Sequence, residues 1–210
     1  LMTESLIKTM TIKSWLSNLN FTLPDLSYQS DRQFLTNETI RLNRGKLTAN
    51  DVLCINTGNF TGIGIENFDL SSVTDLSNMF RGSAVRGGVR NWNTGRVQNF
   101  DFIFGDTFEF QDDVSRWNVA SSTSMNKMFA KTAMFDSDLS AWDVSNVHSM
   151  EYIFYGSRVF QGNGIETWNV QSVTNLARAF SHTQILDTDL SSWRVRQVTS
   201  GVDIFREAVG

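Results

Sequence analysis

A large aromatic residue returns along this chain at a nearly constant interval. It stands at Phe68, Trp92, Trp117, Trp142, Trp168 and Trp193. Successive anchors are thus about 25 residues apart, inside the range typical of repeat arrays. Twelve residues after each comes a phenylalanine: Phe80, Phe104, Phe129, Phe154, Phe180 and Phe205. A fixed period of this length marks a stacked array, because one unit cannot bury its apolar side alone and a stack of units can. Such arrays recognise partners over an extended surface rather than in a pocket.

With each anchor numbered zero, apolar residues recur at +2 (Leu70, Val119, Val144, Val170, Val195) and at +5 (Val73, Val97, Val147, Val173, Val198). Alternation at 0 and +2 predicts a short strand with one buried face. Position +7 always holds a capping type: Asp75, Asn99, Ser124, Ser149, Asn175 or Ser200. Apolar residues follow at +8, +11 and +12, as in Met125, Met128 and Phe129. That i, i+3, i+4 spacing predicts a short helix, with the +7 side chain accepting from its open N–H groups. Gly82 and Gly156 suit a left-handed helix stop.

The reading is an α/β repeat solenoid: a right-handed, leucine-rich-repeat-like coil of ~25-residue units, each a short parallel strand plus a short helix. Units begin at 68, 92, 117, 142, 168 and 193, and a degenerate unit spans 42–67, where Leu42, Leu47 and Cys54 match positions 0, +5 and +12. Residues 1–41 carry a helical apolar stripe (Leu6, Ile7, Met10, Trp15, Leu16, Leu19) broken near Pro24, and read as an N-terminal helical cap over the first coil. The C-terminal unit stops without a polar cap, so that coil is expected either to continue or to be covered by a partner.

Composition excludes several classes. A net charge of −4 offers no concentrated basic face for nucleic acid. No apolar run approaches the ~18–20 residues of a membrane span. One cysteine, Cys54, allows no intrachain disulfide framework and falls in the slot of a buried phenylalanine. Sequons at Asn20, Asn37 and Asn59 matter only on a secretory route.

Two polar rows accompany the apolar ones. The +1 row is Asp69, Asn93, Asn118, Asp143, Asn169 and Arg194. Beside it at +3 lie Gln171 and Arg196, so Arg194 and Arg196 make one end basic. The strand alternation turns this strip away from the core, and these side chains together form the candidate protein-binding face. A bland alternative is a structural ladder bonded to itself and to backbone. The +21 row is Asp113, Asp138, Asn163 and Asp189, with Asp136 and Asp187 nearby. It resembles turn chemistry more than a calcium site, since no glycine-containing ligand loop with a bidentate glutamate accompanies it.

The units Trp117-Asn-Val…Met128-Phe129…Phe135-Asp-Ser-Asp-Leu-Ser and Trp142-Asp-Val-Ser-Asn-Val…Ile153-Phe154…Phe160-Gln resemble the BspA-like repeat, roughly W-D-V-S-N-V-T-N-M-x-x-M-F followed by F-N-Q-D-L-S. The resemblance covers about residues 60–210. Trp92-Asn-Thr-Gly and Ser200-Gly-Val depart from the pattern, which predicts irregular coils there. BspA-like repeats are regarded as leucine-rich-repeat relatives, known best from bacterial surface lipoproteins and adhesins and found also in protists and their large DNA viruses. The resemblance implies a non-enzymatic binding or assembly role and names no ligand.

No pattern points to catalysis. His148 and His182 occupy different repeat positions, +6 and +14, without neighbours at metal spacing. The glycines of Thr61-Gly-Ile-Gly-Ile lack the helix and lysine of a phosphate loop. The expectation is therefore no enzyme, no cofactor and no metal, but a module binding a protein or other macromolecule at the cell surface or outside the cell. The alternative is a structural subunit of a virion shell or organellar assembly.

Overall fold

The computed structural model describes residues 61–62, 65–66, 68–185 and 188–209. The cap assigned to residues 1–41, most of the degenerate unit at 42–67, Cys54, Asp187 and the three sequons lie outside them.

Each repeat unit forms one coil, and successive coils stack. The α/β composition read from the sequence is not what forms. Among the described residues there is no α-helix and no strand longer than a single bridge; a lone 3₁₀ turn occurs at Ile165–Thr167. The coils meet at isolated parallel bridges that join position +7 of one coil to position +7 of the next, in the order Asp75, Asn99, Ser124, Ser149, Asn175 and Ser200.

The reason no helix forms lies in the backbone at +10 and +14. Every described residue there has left-handed φ: Asn78, Phe102, Lys127, Tyr152, Arg178 and Asp203 at +10, and Gly82, Asp106, Lys131, Gly156, His182 and Glu207 at +14. One such residue ends a right-handed helix, and here a second follows in the very next turn. What replaces the helix is a chain of tight turns. The N–H of Met79 donates to Leu76 O at 3.2 Å, that of Arg81 to Asn78 O at 3.3 Å, and that of Ser83 to Phe80 O at 2.9 Å. The intervening N–H groups point along the stack. Those of Leu76, Asn78, Phe80 and Gly82 donate to the carbonyls of Asn99, Asp101, Ile103 and Gly105 in the next coil at 2.8–3.0 Å. The pattern repeats at each later interface, as in Lys127 to Glu151 and Phe129 to Ile153. A left-handed non-glycine residue costs roughly 1–2 kcal/mol. Each costly turn thus frees an N–H that the neighbouring coil satisfies.

The core consists of aromatic columns. The anchor rings stack at 5.9–6.3 Å (Phe68 on Trp92, Trp92 on Trp117, Trp142 on Trp168, Trp168 on Trp193). The +12 phenylalanines stack at 5.6–5.8 Å throughout, from Phe80 to Phe205. A third column, Phe110, Phe135 and Phe160, repeats at 5.9 Å. Burial of an indole demands a partner for its N–H. Trp92, Trp117, Trp142, Trp168 and Trp193 each donate Nε1–H to a carbonyl of the preceding coil, those of Ile65, Val89, Val114, Leu139 and Ile165, at 2.8–3.1 Å. The fixed tryptophan thus serves packing and inter-coil bonding together.

Hydroxyls line one side of this core. Position +15 carries Ser83, Thr107, Thr132, Ser157 and Thr183, all buried. The Thr107 Oγ1–H donates to Phe80 O at 3.0 Å, and the Thr132 and Thr183 hydroxyls to Phe129 O and Phe180 O at 2.6 Å. These bonds satisfy hydroxyls that burial would otherwise penalise.

Candidate interaction faces

Every member of the expected binding face is exposed. Asp69, Asn93, Asn118, Asp143 and Asn169 occupy the same place in successive coils, each tied into an Asx turn. Their Oδ1 atoms accept the N–H groups of Ser71, Gly95, Ala120, Ser145 and Gln171 at 2.9–3.3 Å. The column is therefore aligned by local backbone bonds, one turn per coil. Arg194 and Arg196 stand at its end in the last coil, with no ion pair among the described residues.

The turns also set the acidity of two members. The Ser71 backbone N–H holds Asp69 below the usual carboxylate range, and the Ser145 hydroxyl does the same for Asp143.

The +21 row is turn chemistry. Asp113, Asp138 and Asp189 accept from the N–H groups of Ser115, Ser140 and Ser191 at 2.9 Å. Asn163 departs from this; it leads into the 3₁₀ turn, and its Nδ2 donates to Asp136 Oδ1 at 3.2 Å. The Ser115 hydroxyl chiefly depresses the Asp113 pKa, and the Ser191 N–H that of Asp189. An open groove of about 610 Å³ lies over this part, lined by polar residues including Asp138, Gln161, Glu166 and Asp189. Among the described residues no three His, Cys, Asp or Glu side chains gather as a metal site would need.

A second face is not visible in the spacing of the sequence. The left-handed turns bring the +10 side chains, all half-buried, into a column in which rings and cations alternate from Phe102 through Lys127 and Tyr152 to Arg178, with Arg81 at +13 beside its start. Arg81 lies over Phe102 at 4.3 Å, and Lys127 sits between Phe102 at 4.8 Å and Tyr152 at 4.9 Å. Arg178 follows over Tyr152 at 5.5 Å and pairs with Asp203 at 3.3 Å. Acids and bases at +13 and +14 run alongside. Asp106 holds Arg81 at 3.6 Å and Lys131 at 3.3 Å, and His182 meets Glu207 at 3.1 Å. The signal is present in the residue types at +10. It stays hidden because a helical reading treats that position as an ordinary outer face.

The last described coil differs from the rest. Val195 at +2 and Phe205 at +12 are 46% and 43% exposed, in slots that are buried in earlier coils, and Val202 and Val209 are exposed beside them.

This architecture defines a repeat protein of stacked, turn-built coils. The chain belongs to the family described as Mycoplasma protein of unknown function, DUF285, whose pattern matches residues 52–163 and again 135–210. No curated protein and no solved structure matches it. Among the described residues no helix is long and apolar enough to cross a membrane.

Proposed function

We propose that this chain is a non-enzymatic recognition module that binds a protein or other macromolecule along its stack of coils, as a surface or adhesion-type repeat protein. The observation that carries this reading is the Asx-turn column. Five successive coils present Asp69, Asn93, Asn118, Asp143 and Asn169 in the same exposed position, each side chain already held by backbone. Pre-ordered side chains lose less freedom on binding, and a row of them suits an extended partner. The BspA-like resemblance of the units at Trp117 and Trp142 supports the same reading, and we infer that the DUF285 and BspA-like repeats are related.

The second reading is a structural subunit packed inside a large assembly. Antibody labelling of intact and permeabilised source cells separates the two. Labelling of intact cells is expected for a surface module; labelling only after permeabilisation would reject it. Binding to intact target cells then maps the face. The triple variant Asn118→Lys, Asp143→Lys and Asn169→Lys, folded by circular dichroism, should lose that binding. Wild-type binding by this variant would remove the Asx column as the contact.

A further inference from the structure

Among the described residues, ion pairs take up Arg81, Arg86, Arg90, Lys131, Arg178 and Arg206, and Lys127 lies between two rings. Arg96, Arg116, Arg158, Arg194 and Arg196 have neither a carboxylate nor a ring as partner, and all are exposed. All but Arg158 flank or belong to the Asx column. Arg96 follows Gly95, and Arg116 precedes Asn118 by two residues. The two coils meet at this place: a side chain on Gly95 would come within 3.2 Å of Asn118 Nδ2, and the Ser121 hydroxyl donates to Gly95 O at 2.8 Å. The Asx turns fix which end of each amide is in use. Oδ1 of Asn93 and of Asn118 accepts a backbone N–H, which leaves each Nδ2 as a spare donor. These coils therefore present guanidinium and amide donors together. The coils with aspartate at +1, Asp69 and Asp143, carry no arginine beside it. Nearby acids are engaged elsewhere. Asp112 accepts the N–H groups of Gly88, Val89 and Arg90 at 2.8–3.1 Å, Asp113 pairs with Arg90 at 3.6 Å, and Asp101 accepts from the Ser124 hydroxyl and the Asn126 N–H at 2.7 Å.

We propose that this patch binds an acidic glycan, a hydroxylated chain bearing spaced carboxylate or sulfate groups; this rests on the recognition role proposed above and names its partner class. A guanidinium group takes two oxygens of an anion at once, and a primary amide donates to hydroxyl oxygens. The combination returns three coils on, at Asn169, Arg194 and Arg196, where Asn169 Oδ1 is again held by a backbone N–H. At one strand spacing per coil the two patches are roughly 14 Å apart, within reach of one chain. Asp143 separates them, and Glu166 borders the second. Anionic groups spaced along a neutral chain fit that alternation, whereas the unbroken phosphates of a nucleic acid would meet Asp143. An acidic protein segment fits less well. Protein interfaces centre on aromatic and aliphatic anchors, and on this face no large hydrophobic side chain is exposed before the last coil.

Fluorescence anisotropy of labelled hyaluronate, sparsely sulfated dextran and neutral dextran, titrated with the full chain, tests this. The wild type should bind at least one of the two acidic glycans, the tighter naming the anionic group, and ignore neutral dextran. Arg96→Gln with Arg116→Gln should weaken binding about tenfold or more. So should Asn93→Asp with Asn118→Asp, which keeps the turns, as at Asp69 and Asp143, but replaces the amide donors with carboxylates. Arg158→Gln removes an exposed arginine away from the patch and should bind as the wild type does. These positions are exposed, so circular dichroism and Tm should stay unchanged. A wild type that binds neither acidic glycan overturns the proposal. So does an equal loss in Arg158→Gln, wild-type binding by the aspartate variant, or tighter binding of polyglutamate or single-stranded DNA. The lysine variant of the cell assay breaks three turns, because lysine cannot accept the N–H of Ala120, Ser145 or Gln171; it tests the column, and the aspartate variant tests its charge. Cell binding lost in the lysine variant, with no glycan bound by the wild type, would keep the column as a contact and overturn the glycan alone.

Discussion

Replacing Lys127 by glycine and, separately, by alanine distinguishes a stack of turns from the helix the spacing suggests. Lys127 has φ of 54°. Its ammonium lies between the Phe102 and Tyr152 rings at 4.8 and 4.9 Å, and both substitutions remove that contact equally. The difference between the variants therefore isolates the backbone. Alanine in the left-handed region costs roughly 1–2 kcal/mol. The greater freedom of glycine in the unfolded chain takes back about 0.4–1 kcal/mol. Glycine should end ahead by roughly 0.5–1 kcal/mol, the balance of those two effects. In a helix interior the sign reverses, and alanine leads by about 0.8–1 kcal/mol. The same comparison at Lys131, with φ of 59°, should agree, because Gly82 and Gly156 already occupy its place in other coils. Urea unfolding by far-ultraviolet circular dichroism, compared at equal m, measures the difference. An alanine variant more stable than the glycine variant at Lys127 would refute the turn architecture; at Lys131 a helix stop and a turn both favour glycine, so that site checks only the left-handed φ.

Two further outcomes follow from the core and the Asx turns. Phe129 is fully buried and its ring meets those of Phe135 at 3.9 Å, Phe154 at 5.6 Å and Phe104 at 5.7 Å; Phe129→Ala should cost about 3–5 kcal/mol by urea unfolding. Phe205 fills the same repeat slot at 43% exposure against Phe180 alone, so Phe205→Ala should cost far less, and equal losses would contradict the burial assigned to the two rings. Asp69, Asp113, Asp143 and Asp189 are each held below their ordinary 3.8 by the turn hydrogen bonds, so on acidification the unfolded chain takes up protons before the folded one. Their contribution is complete above 3.8 and is lost as pH falls through the lower folded values. Changing all four to Asn, which makes the same turn at Asn93, Asn118 and Asn169, should reduce the stability difference between pH 7 and pH 3; an unchanged difference places the acid sensitivity elsewhere.

Much of the coil is legible in the sequence because burial imposes a strict period. The anchors and the side chains at +2, +5, +8, +11 and +12 line the core as their apolar character requires, from Phe68 and Leu70 through Leu176 and Phe180. What is not legible is the backbone between them. Spacing of i, i+3 and i+4 places side chains on one side of a helix, but two consecutive turns that curl toward the core do the same. The side chains at +7 resemble helix caps for a related reason. Asp75, Asn99 and Asn175 do accept an N–H two positions on, of Ser77, Asp101 and Ala177, but in Asx turns at a bridge rather than at a helix start. A left-handed φ is foreseeable at Gly82 and Gly156 because glycine advertises it. Phe102, Tyr152 and Arg178 give no such sign, since what holds them there is the hydrogen bond each N–H makes to the next coil.

That hydrogen bond explains how the turns are tolerated but not why the +10 column alternates. A stack of similar coils has a register problem: a coil displaced by one unit still meets a phenylalanine and an indole. The aromatic columns stabilise every register almost equally and specify none. The outer column discriminates between registers. In the observed order Lys127 lies between two rings, and Arg178 lies between Tyr152 and Asp203. If the Trp117 coil skipped its neighbour and stacked on the Trp168 coil, Lys127 would face Arg178, two like charges at one coil spacing. If the Trp92 coil skipped likewise, Asp106 would lose Lys131 and Phe102 would lose Lys127. Each error removes a favourable pair, and the first adds repulsion of about 1 kcal/mol or more in a partly screened setting. Order along the stack is thus written in polar and charged side chains at the rim, while cohesion comes from the rings inside.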